Sequence, residues 1–166
     1  RIKSFLIWLH GFHQTKVKVG VENVDDEVSL RRIRRLVGPQ MDLRIDANEA
    51  WTCKNMESKF EPLEKFNITS IEQPVHHTEI DGLAKIRPNI APPIMLDESL
   101  CSVEDGQRAV ESGLCDLFNI RISKCGGFLN SLKIAATAHQ AGFGYQLGCQ
   151  VGETGILSAA GRHFAA

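Results

Sequence analysis

Apolar and polar residues alternate in TKVKVG near the start of the chain, and a period of two predicts a short strand. The following DDEVSLRRIRRLVG sets Val28, Ile33, Leu36 and Val37 at helical spacing behind an acidic first turn, which predicts a helix. The same strand-then-helix order recurs along the rest of the chain. MDLRIDAN predicts a strand followed by a helix over 55–66, and ITSIEQP a third strand with the helical DGLAKIR behind it. APPIMLDES predicts a fourth, leading to SVEDGQRAVESG, a helix closed by Gly113. CDLFNIRI and LNSLKIAATAHQAG supply the fifth pair, and FGYQLGC leads into GETGILSAAGRHFAA as the sixth. The opening RIKSFLIWL reads as a chain entering in mid-helix.

Uninterrupted alternation of strand and helix argues for a parallel sheet with crossover helices. The strands recur every 25 residues or so, roughly the repeat of a (β/α)8 barrel, whose active site is built from the C-terminal ends of its strands. An open doubly wound sheet is the competitor. No glycine-rich phosphate fingerprint follows the first strand, and polar residues end five strands rather than gathering at one switch point. A complete barrel needs roughly 200 residues or more, so the expectation is an incomplete TIM-type barrel spanning 1–166, with about six βα units and the first and last strands absent.

Composition narrows the function classes. The 166 residues are 43% hydrophobic with a formal net charge of -1, which suits a soluble globular protein and gives no basic footprint for nucleic acid. FLIWL is too short to span a bilayer and lacks a signal-peptide cleavage pattern, so a cytoplasmic, membrane-free protein is expected. Five scattered cysteines without CxxC spacing indicate neither a disulfide framework nor a zinc site.

Side chains alternate faces along a strand, so residues of equal parity can be tested for a common direction. Asp46, Glu72 and Asp97 end successive strands, with Arg121 expected at the corresponding height on the fifth. Lys16, Arg44, Ser70, Met95 and Asn119 fall one layer deeper, and Lys16 shares a face with Lys18. Barrel interiors are usually filled by Val, Ile and Leu, so this face is unusually polar. Three carboxylates from neighbouring strand ends make a hard-oxygen site suited to Mg²⁺ or Mn²⁺. Structural salt bridges at a barrel rim are the alternative. Three acids would repel a phosphate, which disfavours a metal-free phosphate-binding barrel. Asn48 and Trp51 stand close enough to Asp46 to support it, although core packing also accounts for Trp51. His76 and His77, in the loop after IEQP, could serve as base or ligand or lie simply exposed. The glycines of GCQVGETG would let backbone approach a ligand closely, and Glu153 in that loop is a candidate substrate contact or a solvated carboxylate.

TKVKVG, RIDAN, IEQP, LDES and the strand before KCGG, in that order and spacing, closely resemble the muconate-lactonizing-enzyme branch of the enolase superfamily, the mandelate racemase/muconate lactonizing enzyme family. The resemblance implies that Asp46, Glu72 and Asp97 bind one Mg²⁺, and that Lys18 removes the proton α to a carboxylate of a small acid substrate. Lys16 would help to polarise the site, and the enediolate would be held by the metal. Such a role is chemically sensible, because an α-proton beside a carboxylate is very weakly acidic and a crowded ammonium is driven toward its neutral form. It also implies an N-terminal capping domain, absent from this sequence, and a homo-oligomer.

In lysine-pair members of that branch a second catalytic lysine ends the strand before the glycine pair. Counting from Asp97, the matching position here is Arg121, whereas Lys124 lies at an odd offset and is expected to point away from the site. Arginine stays protonated and is a poor proton shuttle. A one-base reaction, dehydration or cycloisomerisation, is therefore the favoured expectation for a lyase or isomerase. The alternatives are a racemase or epimerase, with a strand irregularity turning Lys124 inward, and a non-catalytic barrel that binds a metal or acid.

Overall fold

The structure, a computed structural model, describes Leu6 and residues 9–166. Apart from Leu6 and Leu9, the expected opening helix of FLIWL lies outside the described residues. The chain is α/β and divides into two compact units, Arg1–Ile94 and Met95–Ala166.

In the first unit β1 (Gln14–Lys18), β2 (Asp42–Asp46) and β3 (Ile68–Glu72) are parallel neighbours in chain order. Pairing sets Lys18 opposite Asp46 and Asp46 opposite Glu72, with Lys16, Arg44 and Ser70 aligned one layer below. Parity is plain in β2, where Leu43 and Ile45 are fully buried while Arg44 between them is half-buried. Helix α1 (Asp26–Val37) starts where the Asp25 side chain accepts from Val28 N at 2.9 Å. Asp26 and Glu27 lie in its first turn and Arg34 and Arg35 in its last, complementing the helix dipole at both ends.

The helix expected over 55–66 divides. Helix α2 (Met56–Phe60) gives way to a 3-10 segment over Glu61–Phe66. Pro62 has no N–H to donate back along an α-helix and its ring crowds the preceding turn, so the α-helix stops before it. DGLAKIR yields a single helical turn, α3 (Leu83–Ile86), between 3-10 segments His77–Gly82 and Arg87–Asn89, with Pro88 barring extension.

Gly20, just past β1, has φ +73°, and a Cβ there would lie 2.5 Å from Ala50 Cβ. Replacing Gly20 by Ala is therefore expected to cost about 1–3 kcal/mol, read as a lowered midpoint in denaturant unfolding. An unchanged midpoint would mean that the two loops separate freely.

In the second unit β4 (Ile94–Leu96), which begins with the last residue of the first unit, precedes β5 (Leu117–Ile120) and β6 (Gly144–Leu147). Met95 pairs with Leu117 and Leu96 with Phe118, and Asn119 pairs with Gln146, all parallel. This register corrects the expected layering: Asn119 follows in line with Asp97 rather than with Met95, and Arg121 stands one residue beyond the end of β5. Helix α4 (Val103–Glu111) opens with a capping box between Ser102 and Asp105, and Gly113 at φ +63° follows its end as expected. Helices α5 (Phe128–Gln140) and α6 (Gly155–Phe164) follow β5 and β6. Buried Phe118, Ile134 and Ala138 form the centre of this unit, with Phe143 edge-on to Phe118 at 5.6 Å. No helix among the described residues is long and apolar enough to cross a membrane.

Candidate active site

The strand ends of the first unit gather four of the expected residues. Asp46 and Glu72 are 2% and 1% exposed, and Lys16 Nζ lies 2.8 Å from Asp46 Oδ2 and 2.8 Å from Glu72 Oε1. One ammonium thus bridges two buried carboxylates. Burial works against the charge on Lys16, but its hydrogen bonds to Asp46 and Glu72, and the charges of those acids, outweigh it and raise the lysine's proton affinity. Lys18, on the same face two residues on, is exposed and makes no ion pair or side-chain hydrogen bond among the described residues. The two lysines of KVK are therefore unequal. Lys16 is committed to neutralising carboxylates, and Lys18 is available to a substrate.

Asn48 donates its N–H to Asp46 Oδ1 at 3.0 Å, which orients that carboxylate from the backbone. Asn48, Glu49 and Gln73 all have positive φ, at 42°, 67° and 34°. Such conformations cost on the order of 1–3 kcal/mol each and tend to collect at functional sites. Here they cluster immediately after the strand ends that carry Asp46 and Glu72. Trp51, 2% exposed, packs into the core and forms a parallel bridge with Val75, so it acts as a clamp between the two loops.

The second unit gathers two expected cations around one carboxylate. Asp97 is fully buried one residue past β4, and Arg121 Nη2 pairs with its Oδ2. Lys124 Nζ lies 3.1 Å from Asp97 Oδ1 and also donates to the Asp97 carbonyl. The expectation that Lys124 points away is thereby overturned. Face alternation holds only within a strand, and β5 ends at Ile120. From Arg121 the backbone curls into a tight turn, with Lys124 N and Cys125 N both donating to Arg121 O at 2.9 and 2.8 Å. Three residues along such a turn bring a side chain back to nearly the same side. The Lys124 side chain is only 12% exposed. Burial lowers its proton affinity below the ordinary lysine value, and the Arg121 guanidinium adds to that push.

Asn119, 2% exposed, is a member of this group that the sequence placed one layer too deep. The signal that locates it is Gly148, where a Cβ would come within 2.2 Å of Asn119 Oδ1 and 3.0 Å of Arg121 Cγ. Only a glycine lets the β6 loop approach these side chains so closely. Glu153, by contrast, is held by its own loop, accepting from Ser123 Oγ and Gln150 N at 2.8 Å each. Those bonds, the backbone one foremost, lower its proton affinity. It also lines a cavity of about 260 Å³ with Ile122, Leu147 and Leu157, whose wall does not include Asp97, Arg121 or Lys124. A direct substrate contact by Glu153 therefore has no support from this geometry.

The donor chemistry fits a hard divalent cation. Asp46 and Glu72 offer acceptor-only oxygens from paired strand positions, and a cation already sits between them in the form of the Lys16 ammonium. Asp97 offers the same oxygen chemistry, equally buried and equally compensated by cations.

Residues 6–166 match the family described as enolase C-terminal domain-like. A hydrophobic dipeptide epimerase of Enterococcus faecalis is 36% identical over 156 residues, covering 94% of this chain and 44% of that protein. The crystal structure of a dipeptide epimerase from Cytophaga hutchinsonii, complexed with Mg and the dipeptide D-Ala-L-Val, superposes with a TM-score of 0.92. It is 36% identical, and the match covers 99% of this chain and 44% of that one. Muconate cycloisomerase from Pseudomonas fluorescens superposes with a TM-score of 0.90 at 30% identity, covering 99% of this chain and 46% of that one. The chain thus spans less than half the length of the relatives it matches.

Proposed function

Because the chain belongs to the enolase C-terminal domain-like family, an incomplete (β/α) barrel within it, we propose that the full-length protein is a metal-dependent epimerase or racemase. Its substrate is a dipeptide or similarly acylated amino acid, and its reaction removes and returns the proton α to a carboxylate. The observation that carries this reading is the orientation of Lys124. Exchange of configuration at one carbon needs a group to take the proton on one face and another to deliver it on the other. With Lys124 turned outward, the chain offered one mobile base, and elimination or cycloisomerisation was the natural outcome. With its ammonium at Asp97 and its proton affinity depressed by burial, a second lysine can share the work with Lys18. The dipeptide epimerases among the relatives support the same choice.

The residues divide as follows. Lys18, exposed and without an ion pair among the described residues, takes the α-proton on one face. Lys124 serves the other face, and Arg121, permanently charged, pairs with Asp97 and attracts the substrate carboxylate. Lys16 neutralises Asp46 and Glu72 until substrate and metal enter, and Asn48 fixes the angle of Asp46. Asp46, Glu72 and Asp97 would hold Mg²⁺, or Mn²⁺, which serves the same oxygen donors. When bound, the ion supplies the positive charge that makes a proton beside a carboxylate removable at neutral pH.

The test is exchange in D₂O. Full-length protein with Mg²⁺ is incubated with each epimer of a hydrophobic dipeptide panel, and α-deuterium and configuration are followed together. Deuterium incorporation accompanied by inversion, abolished by EDTA, is the expected outcome. Loss of water or ring closure without inversion would replace the reading with a one-base reaction. No exchange with any carboxylate would leave a binding protein.

A further inference from the structure

Outside the lysine and carboxylate groups, one cluster of ligating side chains among the described residues has no part in the proposed reaction. Glu49, His76 and His77 each offer a ligand atom, and the three atoms lie within 4.8 Å of one another. We propose that they form a second cation site, selective for a borderline-soft divalent ion of the zinc class rather than for Mg²⁺.

Three features support it. First, both imidazoles are held through Nδ1. His77 Nδ1 lies 2.7 Å from Glu49 Oε1, while His76 Nδ1 accepts from Thr78 N at 3.4 Å and lies 2.8 Å from Thr78 Oγ1. A ring whose Nδ1–H donates to a carboxylate, as His77 can to Glu49, presents a bare Nε2 lone pair, the state in which a histidine binds metal. Second, the two loops that carry the ligands are fastened together before any ion arrives. Glu49 N donates to Gln73 O at 2.9 Å, Trp51 N donates to Pro74 O at 3.0 Å, and His77 N donates to Glu49 Oε1 at 2.7 Å. Glu49 is held at φ +67°, a conformation maintained by this fastening. Third, the rings sit side by side, with centroids 4.0 Å apart, and the His77 side chain is 54% exposed, so an ion can enter from solvent.

Zinc takes bonds of about 2.0–2.1 Å, which places tetrahedral ligand atoms roughly 3.3 Å apart. The cluster is therefore slightly open, and a small rotation of the exposed rings closes it. Two imidazoles and one carboxylate leave the fourth position to water. Imidazole donors favour zinc-class ions, whereas Mg²⁺ prefers oxygen alone. The same protein would then sort two metals between two sets of ligands, the second carried by the loops that follow β2 and β3.

The experiment is a Co²⁺ titration of full-length protein in saturating Mg²⁺, reading the visible d–d absorption of four- or five-coordinate cobalt, followed by displacement with Zn²⁺. One equivalent of tightly held cobalt is expected, at least tenfold weaker in each of His76→Ala and His77→Ala and retained in Asp46→Asn. His77→Gln, which keeps a polar partner for Glu49, should lose the band while keeping the fold. A band unchanged in the double variant His76→Ala/His77→Ala would overturn the proposal. So would a band lost in Asp46→Asn but not in the histidine variants, since cobalt would then occupy the carboxylate site. The outcome is independent of whether the protein is an epimerase.

Discussion

In Lys18→Ala protein, α-deuterium exchange from one epimer of the dipeptide substrate is expected to fall by about 10²–10⁴-fold, the usual contribution of a positioned general base. Exchange from the other epimer should persist. The asymmetry follows from how β1 uses its two lysines. Lys16 contacts both Asp46 and Glu72, which raise its proton affinity, and a lysine held protonated between two carboxylates cannot act as a base. Lys18 shares its face but makes no such commitment among the described residues. Lys16→Ala should accordingly act differently, weakening both directions together because it leaves two buried carboxylates without their ammonium. Following deuterium wash-in for each epimer separately distinguishes the two lysines. If Lys18→Ala slowed both epimers equally, its part would be structural and the assignment of the base would fail.

The strands and their polar ends were legible because parallel strands repeat a simple pattern. In DLRID, buried Leu43 and Ile45 alternate with Arg44 and Asp46, and this alone places Asp46 on the same side as Glu72, its partner in register. The same arithmetic failed where its premise failed. Counting by twos from Asp97 to Arg121 to Lys124 assumed a strand that continues, but β5 ends at Ile120 and the backbone winds into a turn. A lysine three residues into a turn obeys helical rather than strand geometry. Sequence gave two warnings of this: the following Gly126 and Gly127, both at positive φ, and the absence of further alternation after Ile122. The helix over 55–66 failed for a related reason, since its hydrophobic spacing suits a helix while Pro62 forbids an unbroken α-helical ladder. The loop pairing of Glu49 with His77 lay beyond any periodic reading. It joins residues 28 apart through two loops, each shaped by individual backbone conformations.

Lys124→Ala is the complementary and more discriminating change, expected to remove exchange from the epimer that Lys18→Ala spares, again by about 10²–10⁴-fold. Its difficulty is that Lys124 also helps to hold Asp97, so a general loss of activity would be ambiguous. Stereochemistry resolves this. Disturbing Asp97 would weaken catalysis on both epimers alike, because a carboxylate that supports the whole site does not distinguish the two faces of the substrate carbon. Losing a base affects only the face that the base serves. Arg121→Lys supplies the reverse test. Arg121 pairs with Asp97 beside Lys124 but stays charged, so it cannot carry the proton. A lysine there should leave inversion intact, or accelerate it by adding a second mobile base to the same face. If instead Arg121→Lys alone created inversion that the unmodified protein lacked, Lys124 would be a support for Asp97 and not a base. The natural reaction would then be the one-base chemistry that a permanently charged residue at position 121 allows. The two variants therefore separate the two cations by what each can do with a proton: both neutralise the same buried carboxylate, but only lysine can release one.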